Sequence, residues 1–318
     1  MKEYALLHKG AYLLFNMPIQ KQIPPQIPNQ SKANAYALGT VLLWSTVSTA
    51  FKLALAKASV LLVFTYAMLL ASIILFLYLL LKKEISLLFS LSKKEFLSCF
   101  PLAFMLFIYY NCLFIGYTGL PVQIAQPINY AWTIMLALLG CLILKQPLKR
   151  KEIFWILVAF TGVLIISFGN TSTMKESSGL SLFCIFLSTF LYALYWIYNT
   201  KNPLPGTVKL FLGFTGAGLL GLITLIFQNA PLLLPKSALL PTCYIGFFEL
   251  SIPFLLWDKA IFYTKSMSKI ATIPLISPFF ALLWANVILG EHIKFINIIG
   301  LVFIVCGIFM QQKGKKDC

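Results

Sequence analysis

Two ionisable side chains fall inside stretches of this sequence that are otherwise long and apolar. Glu249 stands in a run over about residues 238–257, and Lys52 in one over about 35–56. A charge at the centre of a hydrocarbon layer costs roughly 2.5–3.5 kcal/mol on insertion scales. Such groups therefore line a cavity, pair with each other, or meet a charged ligand. Glu249 lies halfway along its run, too deep to reach water by extending its side chain. It suits a proton carrier or the counter-charge of a cation, with a structural hydrogen-bonded carboxyl as the alternative. Lys52, in the outer third of its run, either shares that cavity or snorkels to the interface. Lys209 and Asp258 stand near the ends of their runs, where an interfacial position is expected.

Uncharged polar residues add a second layer. At about 100° per residue, Gln123, Gln126, Asn129, Tyr130 and Thr133 fall within about 120° of one another. Tyr192, Tyr195, Trp196 and Asn199 share a face of another helix, and Trp44, Ser45, Ser48 and Lys52 one of a third. Tyr109, Tyr110 and Asn111 are consecutive, so not all three can point inward. Ser277 and Trp284 lie one heptad apart. Any one of these residues can be interhelical glue worth about 0.6 kcal/mol. Five helices that each bear a polar stripe predict a shared cavity. Trp132, Tyr130 and Trp257 are the mid-span aromatics suited to substrate contact. Pro127, Pro253, Pro274 and Pro278 interrupt helical hydrogen bonding, three of them beside the polar stripe or Glu249. The candidate substrate-binding set is Trp44, Ser48, Lys52, Tyr110, Gln123, Gln126, Asn129, Tyr130, Tyr192, Trp196, Glu249, Trp257 and Ser277, with Glu249 also the coupling candidate.

The elements that must position these residues follow from composition. The chain has 318 residues, 60% hydrophobic and only 11% charged, with a mean hydropathy of +0.88. Soluble domains run at about 45–50% apolar and about 25% charged, so this is a polytopic membrane protein. Charge-poor runs long enough to cross a bilayer lie near 35–56, 60–81, 99–118, 122–144, 153–170, 180–199, 208–227, 238–257, 269–289 and 293–311. Seven scattered cysteines form no metal-ligand or disulfide pattern and read as small apolar fillers. No HExxH, GxSxG, paired Asp or P-loop is present, and both histidines, His8 and His292, lie outside the spans. These absences argue against an enzyme, an ATP-driven pump, a metal site or a cofactor. A channel filter is not visible either, and ten helices exceed a seven-helix receptor.

Orientation follows from basic residues. With the N-terminus in the cytoplasm, only Lys52, Lys57, Lys175, Lys236 and Lys294 of the 25 Lys and Arg lie toward the far side, so both termini are expected inside. The net charge of +16 then reflects basic loops beside anionic lipid rather than nucleic-acid binding. Thr133, Gln146 and Gly162 recur as Pro278, Glu291 and Gly307 at a constant offset of 145 residues. Five helices is an odd number, so two such halves must be inverted relative to each other. Halves of that kind meet at a midplane site and rock to expose it alternately. The expected fold is an all-α membrane protein of ten transmembrane helices in two inverted five-helix repeats, 34–171 and 179–311. Polar tails at 1–33 and 312–318 flank them.

Several segments resemble the drug/metabolite transporter superfamily, in its ten-helix EamA-type branch. Trp44 and Lys52 resemble the first-helix pattern. Asn129-Tyr130-Ala131-Trp132-Thr133 resembles the Asn-Tyr-Leu-Trp-Pro signature of aromatic amino-acid exporters. Ser277-Pro278, Gly290-Glu291, Gly300 and Gly307 resemble the last two helices of a repeat, and Phe248-Glu249 with Phe254-Leu255-Leu256-Trp257 resembles a bacterial segment. Thr133 and Gln146 stand where the family pattern carries Pro and Glu. The resemblance covers about residues 34–311 and implies a carrier of amino acids or related small metabolites in the bacterial inner membrane, with export favoured over uptake. The partners expected are a small-molecule substrate, the lipid bilayer and a coupling proton, in a monomer or homodimer. The alternatives are an uptake carrier for a cationic metabolite such as S-adenosylmethionine and, more distantly, a non-transporting scaffold.

Overall fold

The computed structural model describes residues 28–145, 149–169, 179–265, 267–271, 273–290 and 293–313. All regular structure among these residues is helical. The spanning units are α1 (Gln30–Leu55), α2 (Val60–Leu81), α3 (Phe100–Gly119), α4 (Val122–Tyr130 then Trp132–Leu144) and α5 (Arg150–Gly169) in the first half. The second half holds α6 (Gly179–Lys201), α7 (Gly206–Phe227), α8, α9 and α10 (Phe295–Lys313). The α8 unit joins Lys236–Ile245 to Ile252–Tyr263 through a π turn at Gly246–Ser251. The α9 unit runs through Met267–Ile270, a 3-10 turn Ile273–Ile276 and Ser277–Leu289. Seven of these, α1 to α4 and α6 to α8, are long and apolar enough to cross a bilayer. α5 opens on three charged residues, α9 is interrupted, and the apolar part of α10 is shorter, Phe295–Gly307. The chain is an all-α, multi-pass membrane protein.

The helix starts are set by local chemistry. Asn29 accepts a hydrogen bond from the Lys32 amide at 3.0 Å and starts α1 five residues before the apolar run. Ser59 caps α2 through the Leu62 amide. Such caps satisfy amides that have no partner inside the helix. α4 breaks at Ala131 although Thr133 replaces the family's Pro; Pro127 lies within its first segment, and the Thr133 hydroxyl bonds back to the Tyr130 carbonyl at 3.0 Å.

The internal repeat is visible in the backbone. Trp132–Leu144 and Ser277–Leu289 are both 13 residues long, and they start and end at the sequence offset that relates Thr133 to Pro278. The next residue is left-handed in each, Lys145 at φ 53° and Gly290 at φ 69°. The turn residues that follow, Gln146 and Glu291, lie outside the described residues, as do the tail 1–27 and residues 314–318. Packing repeats the pattern. α1 packs on α8 and α9, while α6 packs on α3 and α4, so adding or subtracting five converts one set of contacts into the other. The equivalent helices α2 and α7 pair directly, and so do α5 and α10.

At the α5–α10 seam backbone meets backbone at glycines, with Ile166 and Ile304 packed beside them. A Cβ placed on Gly162 would stand 2.3 Å from the Gly300 carbonyl oxygen, and one on Gly307 2.7 Å from that of Trp155. Rising numbers on α5 meet falling numbers on α10, so these corresponding helices run antiparallel, as inversion of the halves requires. Small residues on α7 play a similar part, with Gly216 against Ala103, Gly218 against Leu69 and Gly221 against Thr65. Among the described residues, Cys99 and Cys184 are buried fillers, Cys112, Cys141 and Cys243 are half-buried and Cys306 is exposed. The filler reading thus holds for part of the set, because an outward-facing thiol costs little beside lipid.

Candidate functional site

The site begins with a proline. Pro253 has no amide hydrogen, so the carbonyl four residues earlier, that of Glu249, loses its helical donor. The Trp44 indole Nε1 supplies a replacement at 3.0 Å, tying α1 of the first half to α8 of the second. Glu249 itself lies within the stretch of α8 that is wound as the π turn, with the Ser251 hydroxyl donating to the Gly246 carbonyl at 2.5 Å. π turns occur often at functional sites, and this one carries Glu249 into the bundle axis. Glu249 is 7% exposed. The Tyr110 hydroxyl donates to its Oε1 at 2.9 Å.

Around Glu249 lies a small central cavity of about 10 Å³, room for about one water. Its wall is Trp44, Ser48 and Phe51 from α1, Tyr109 from α3, Gln126, Asn129, Tyr130 and Trp132 from α4, Tyr192 from α6, and Glu249. The aromatic faces are ordered: Tyr109 stacks on Tyr192 at 4.2 Å, and the Trp132 ring meets Tyr192 edge-on at 4.8 Å. Gln126 accepts from the Tyr117 hydroxyl. Ser48 Oγ, Asn129 Oδ1 and Tyr192 Oη are buried with no hydrogen-bond partner. No Lys or Arg lines this cavity among the described residues.

Seven of the sequence candidates meet here: Trp44, Ser48, Gln126, Asn129, Tyr130, Tyr192 and Glu249. Tyr110 stands one layer behind and holds the carboxylate. Trp196 and Trp257 are buried but sit in a neighbouring aromatic layer with Phe254, Trp196 being 5.2 Å from Phe254 and 6.3 Å from Trp257. Ser277 is buried at the start of the last α9 segment, outside the wall. Lys52, one turn beyond Ser48, is half-buried and is not part of the lining. The side chain of Gln123 falls outside those described. Trp284, paired with Ser277 by spacing, is 41% exposed on the outside of the bundle.

Two lining residues were not anticipated. Tyr109, rather than its neighbour Tyr110, faces the cavity, and Phe51 completes the face of Trp44 and Ser48 at helical spacing. That spacing was the available signal for Phe51. Lys209, near the start of α7, is buried within the protein: its Nζ donates to the carbonyls of Asn199 at 2.8 Å and Asn202 at 3.3 Å. These carbonyls lie at the C-terminal end of α6, whose negative dipole end holds the ammonium inside.

Comparison with known proteins adds sequence and fold relatives. A family described as the EamA-like transporter family matches residues 31–168 and again 179–311. An uncharacterized transporter of Clostridium kluyveri is 27% identical over 182 residues, 55% of this chain and 58% of the relative; the match thus spans under three-fifths of that protein's length. A "probable amino-acid metabolite efflux pump" of Salmonella typhimurium is 23% identical over 62% of this chain and 70% of its own. An uncharacterized transporter, YyaM, of Bacillus subtilis is 26% identical over 63% and 67%. A crystal structure superposes over 91% of this chain and 99% of its own with a TM-score of 0.74 at 16% identity, a likeness of fold.

Proposed function

Because the chain belongs to the EamA-like transporter family, with a match in each half, we propose that it exports small ammonium-bearing metabolites, amino acids foremost, by alternating access to the central cavity. The carrying observation is the buried Glu249 carboxylate, which faces a cavity lined by no Lys or Arg. A buried charge without a counter-charge is strongly disfavoured. Glu249 therefore holds a proton or a cationic group, and the ammonium of an amino acid meets the second need. The efflux-pump name of the Salmonella relative supports the amino-acid class and the outward direction. The basic loops support a cytoplasmic position for both termini in a bacterial inner membrane, and rocking of the two halves about the seam of α5 and α10 would open the cavity to either side.

A second reading, uptake of a fixed organic cation such as a sulfonium, is favoured by the rings of Trp44, Trp132 and Tyr192 around the carboxylate, since aromatic faces attract such cations. Counterflow in proteoliposomes against a radiolabelled panel of amino acids and nucleoside derivatives separates the two. The proposal expects amino-acid exchange that falls at least about tenfold in Glu249→Gln, equivalent to about 1.4 kcal/mol. Exchange restricted to sulfonium compounds, no exchange at all, or full activity in Glu249→Gln would overturn it.

A further inference from the structure

A second, larger chamber opens at the end of the bundle that carries the start of α1, with a volume of about 850 Å³. It is separated from the central cavity by the aromatic layer, and the sequence order along two helices shows this. On α6, Tyr192 lines the central cavity, Trp196 belongs to the layer and Asn199 lines the chamber. On α8 the same succession runs from Glu249 through Phe254 and Trp257 to Asp258.

The chamber carries fixed charges of both signs. The Asp258 carboxylate sits against the N-terminus of α7, so close that a Cβ on Gly206 would lie 1.7 Å from its Oδ2. The dipole of a helix favours an anion there. Lys209 is held by the α6 carbonyls, and Lys259 lies over the Tyr36 ring, 5.5 Å from its centroid. Lys83 completes the basic part of the wall. Asn199 is 1% exposed, and its Oδ1 has no hydrogen-bond partner. Its amide nitrogen makes only a long contact of 3.5 Å with the Tyr195 hydroxyl. An acceptor buried without a donor is costly unless something supplies one.

We propose that this chamber is a second binding site, which captures a zwitterion of amino-acid size before the aromatic layer admits it to the central cavity. The ligand's ammonium goes to Asp258 and Asn199 Oδ1, and its carboxylate to Lys259 and Lys83. Each charge of an amino acid finds a group of opposite sign on this wall, where Asp258 has Lys209 and Lys259 as its charged neighbours. The inference rests on the carrier reading for its place in the transport path; occupancy of the chamber stands independently of it.

The test is equilibrium dialysis of the full-length detergent-purified protein against a ¹⁴C-labelled mixture of the common L-amino acids, with melting temperatures measured in parallel. Wild type is expected to bind about two equivalents, Glu249→Gln one, and Asn199→Leu one. Asn199→Leu removes an unsatisfied acceptor and keeps the branched shape, so it should melt no lower than wild type while it binds less, a combination that a merely structural asparagine would not give. Lys259→Gln, on the chamber wall away from the α6 and α7 termini, should weaken the same equivalent at least fivefold. Wild type binding none, binding that survives Asn199→Leu and Lys259→Gln undiminished, or all binding disappearing in Glu249→Gln would overturn the proposal. Loss of one equivalent in the chamber variants with none lost in Glu249→Gln would sustain the chamber and remove the central site instead.

Discussion

At the scale of single residues the central contact is between Trp44 and the Glu249 carbonyl, and its cause is Pro253. Trp44→Phe keeps the ring and deletes the donor, which leaves a buried carbonyl unsatisfied at a cost of about 1–3 kcal/mol. A lower melting temperature in detergent checks this. Pro253→Ala returns an amide hydrogen to α8, so Trp44→Phe should cost clearly less in that background; equal costs in both would show the two residues to be uncoupled. Tyr110→Phe should lower exchange activity about tenfold and lower the melting temperature as well, since it leaves the buried carboxylate without its donor. Much of this neighbourhood was legible beforehand, because Glu249 is conspicuous in an apolar run and amides on α4 share one face. The choice between Tyr109 and Tyr110 was not legible. α3 is buried on several sides and apolar nearly throughout, so no amphipathic stripe tells which tyrosine faces the cavity. Phe51 was hidden differently, as one Phe among 28.

At the scale of elements, the two left-handed residues that end α4 and α9 do the same job with different side chains. Lys145 carries a Cβ at φ 53° where Gly290 has none at φ 69°. For residues with a Cβ this conformation costs roughly 1–2 kcal/mol. Lys145→Gly should therefore raise the melting temperature, and Gly290→Ala should lower it by a similar free energy. Opposite signs would mean that the neighbouring turns, not the caps, set local stability. The repeat itself could be read from three matched positions, but its register, with both 13-residue segments starting and stopping in step, needed the backbone. Lys209 shows the limit of the sequence: its place near a helix end could be read, but only the folded end of α6 reveals the carbonyls that hold it.

At the scale of the whole molecule, the halves meet backbone to backbone at the glycines of α5 and α10, with Ile166 and Ile304 beside them, and through many side chains around Glu249. Gly300→Val would force Cβ against the Gly162 carbonyl, 2.6 Å away at that point, and against Ile166. Overpacking of this kind costs typically about 1–3 kcal/mol, and here the helices would have to part. The expected outcome is a lower melting temperature together with slower counterflow, while amino-acid binding at equilibrium is retained.

Four of the six tryptophans, Trp44, Trp132, Trp196 and Trp257, cluster around the cavity and the layer beneath it, whereas Trp155 and Trp284 lie elsewhere. The molecule thus contains its own optical gauge. Intrinsic ultraviolet emission from the unlabelled chain is weighted toward the region where cargo would sit, and a Trp155→Phe, Trp284→Phe background would make it quieter still, so that titrations and stopped-flow traces could follow the interior without any attached dye.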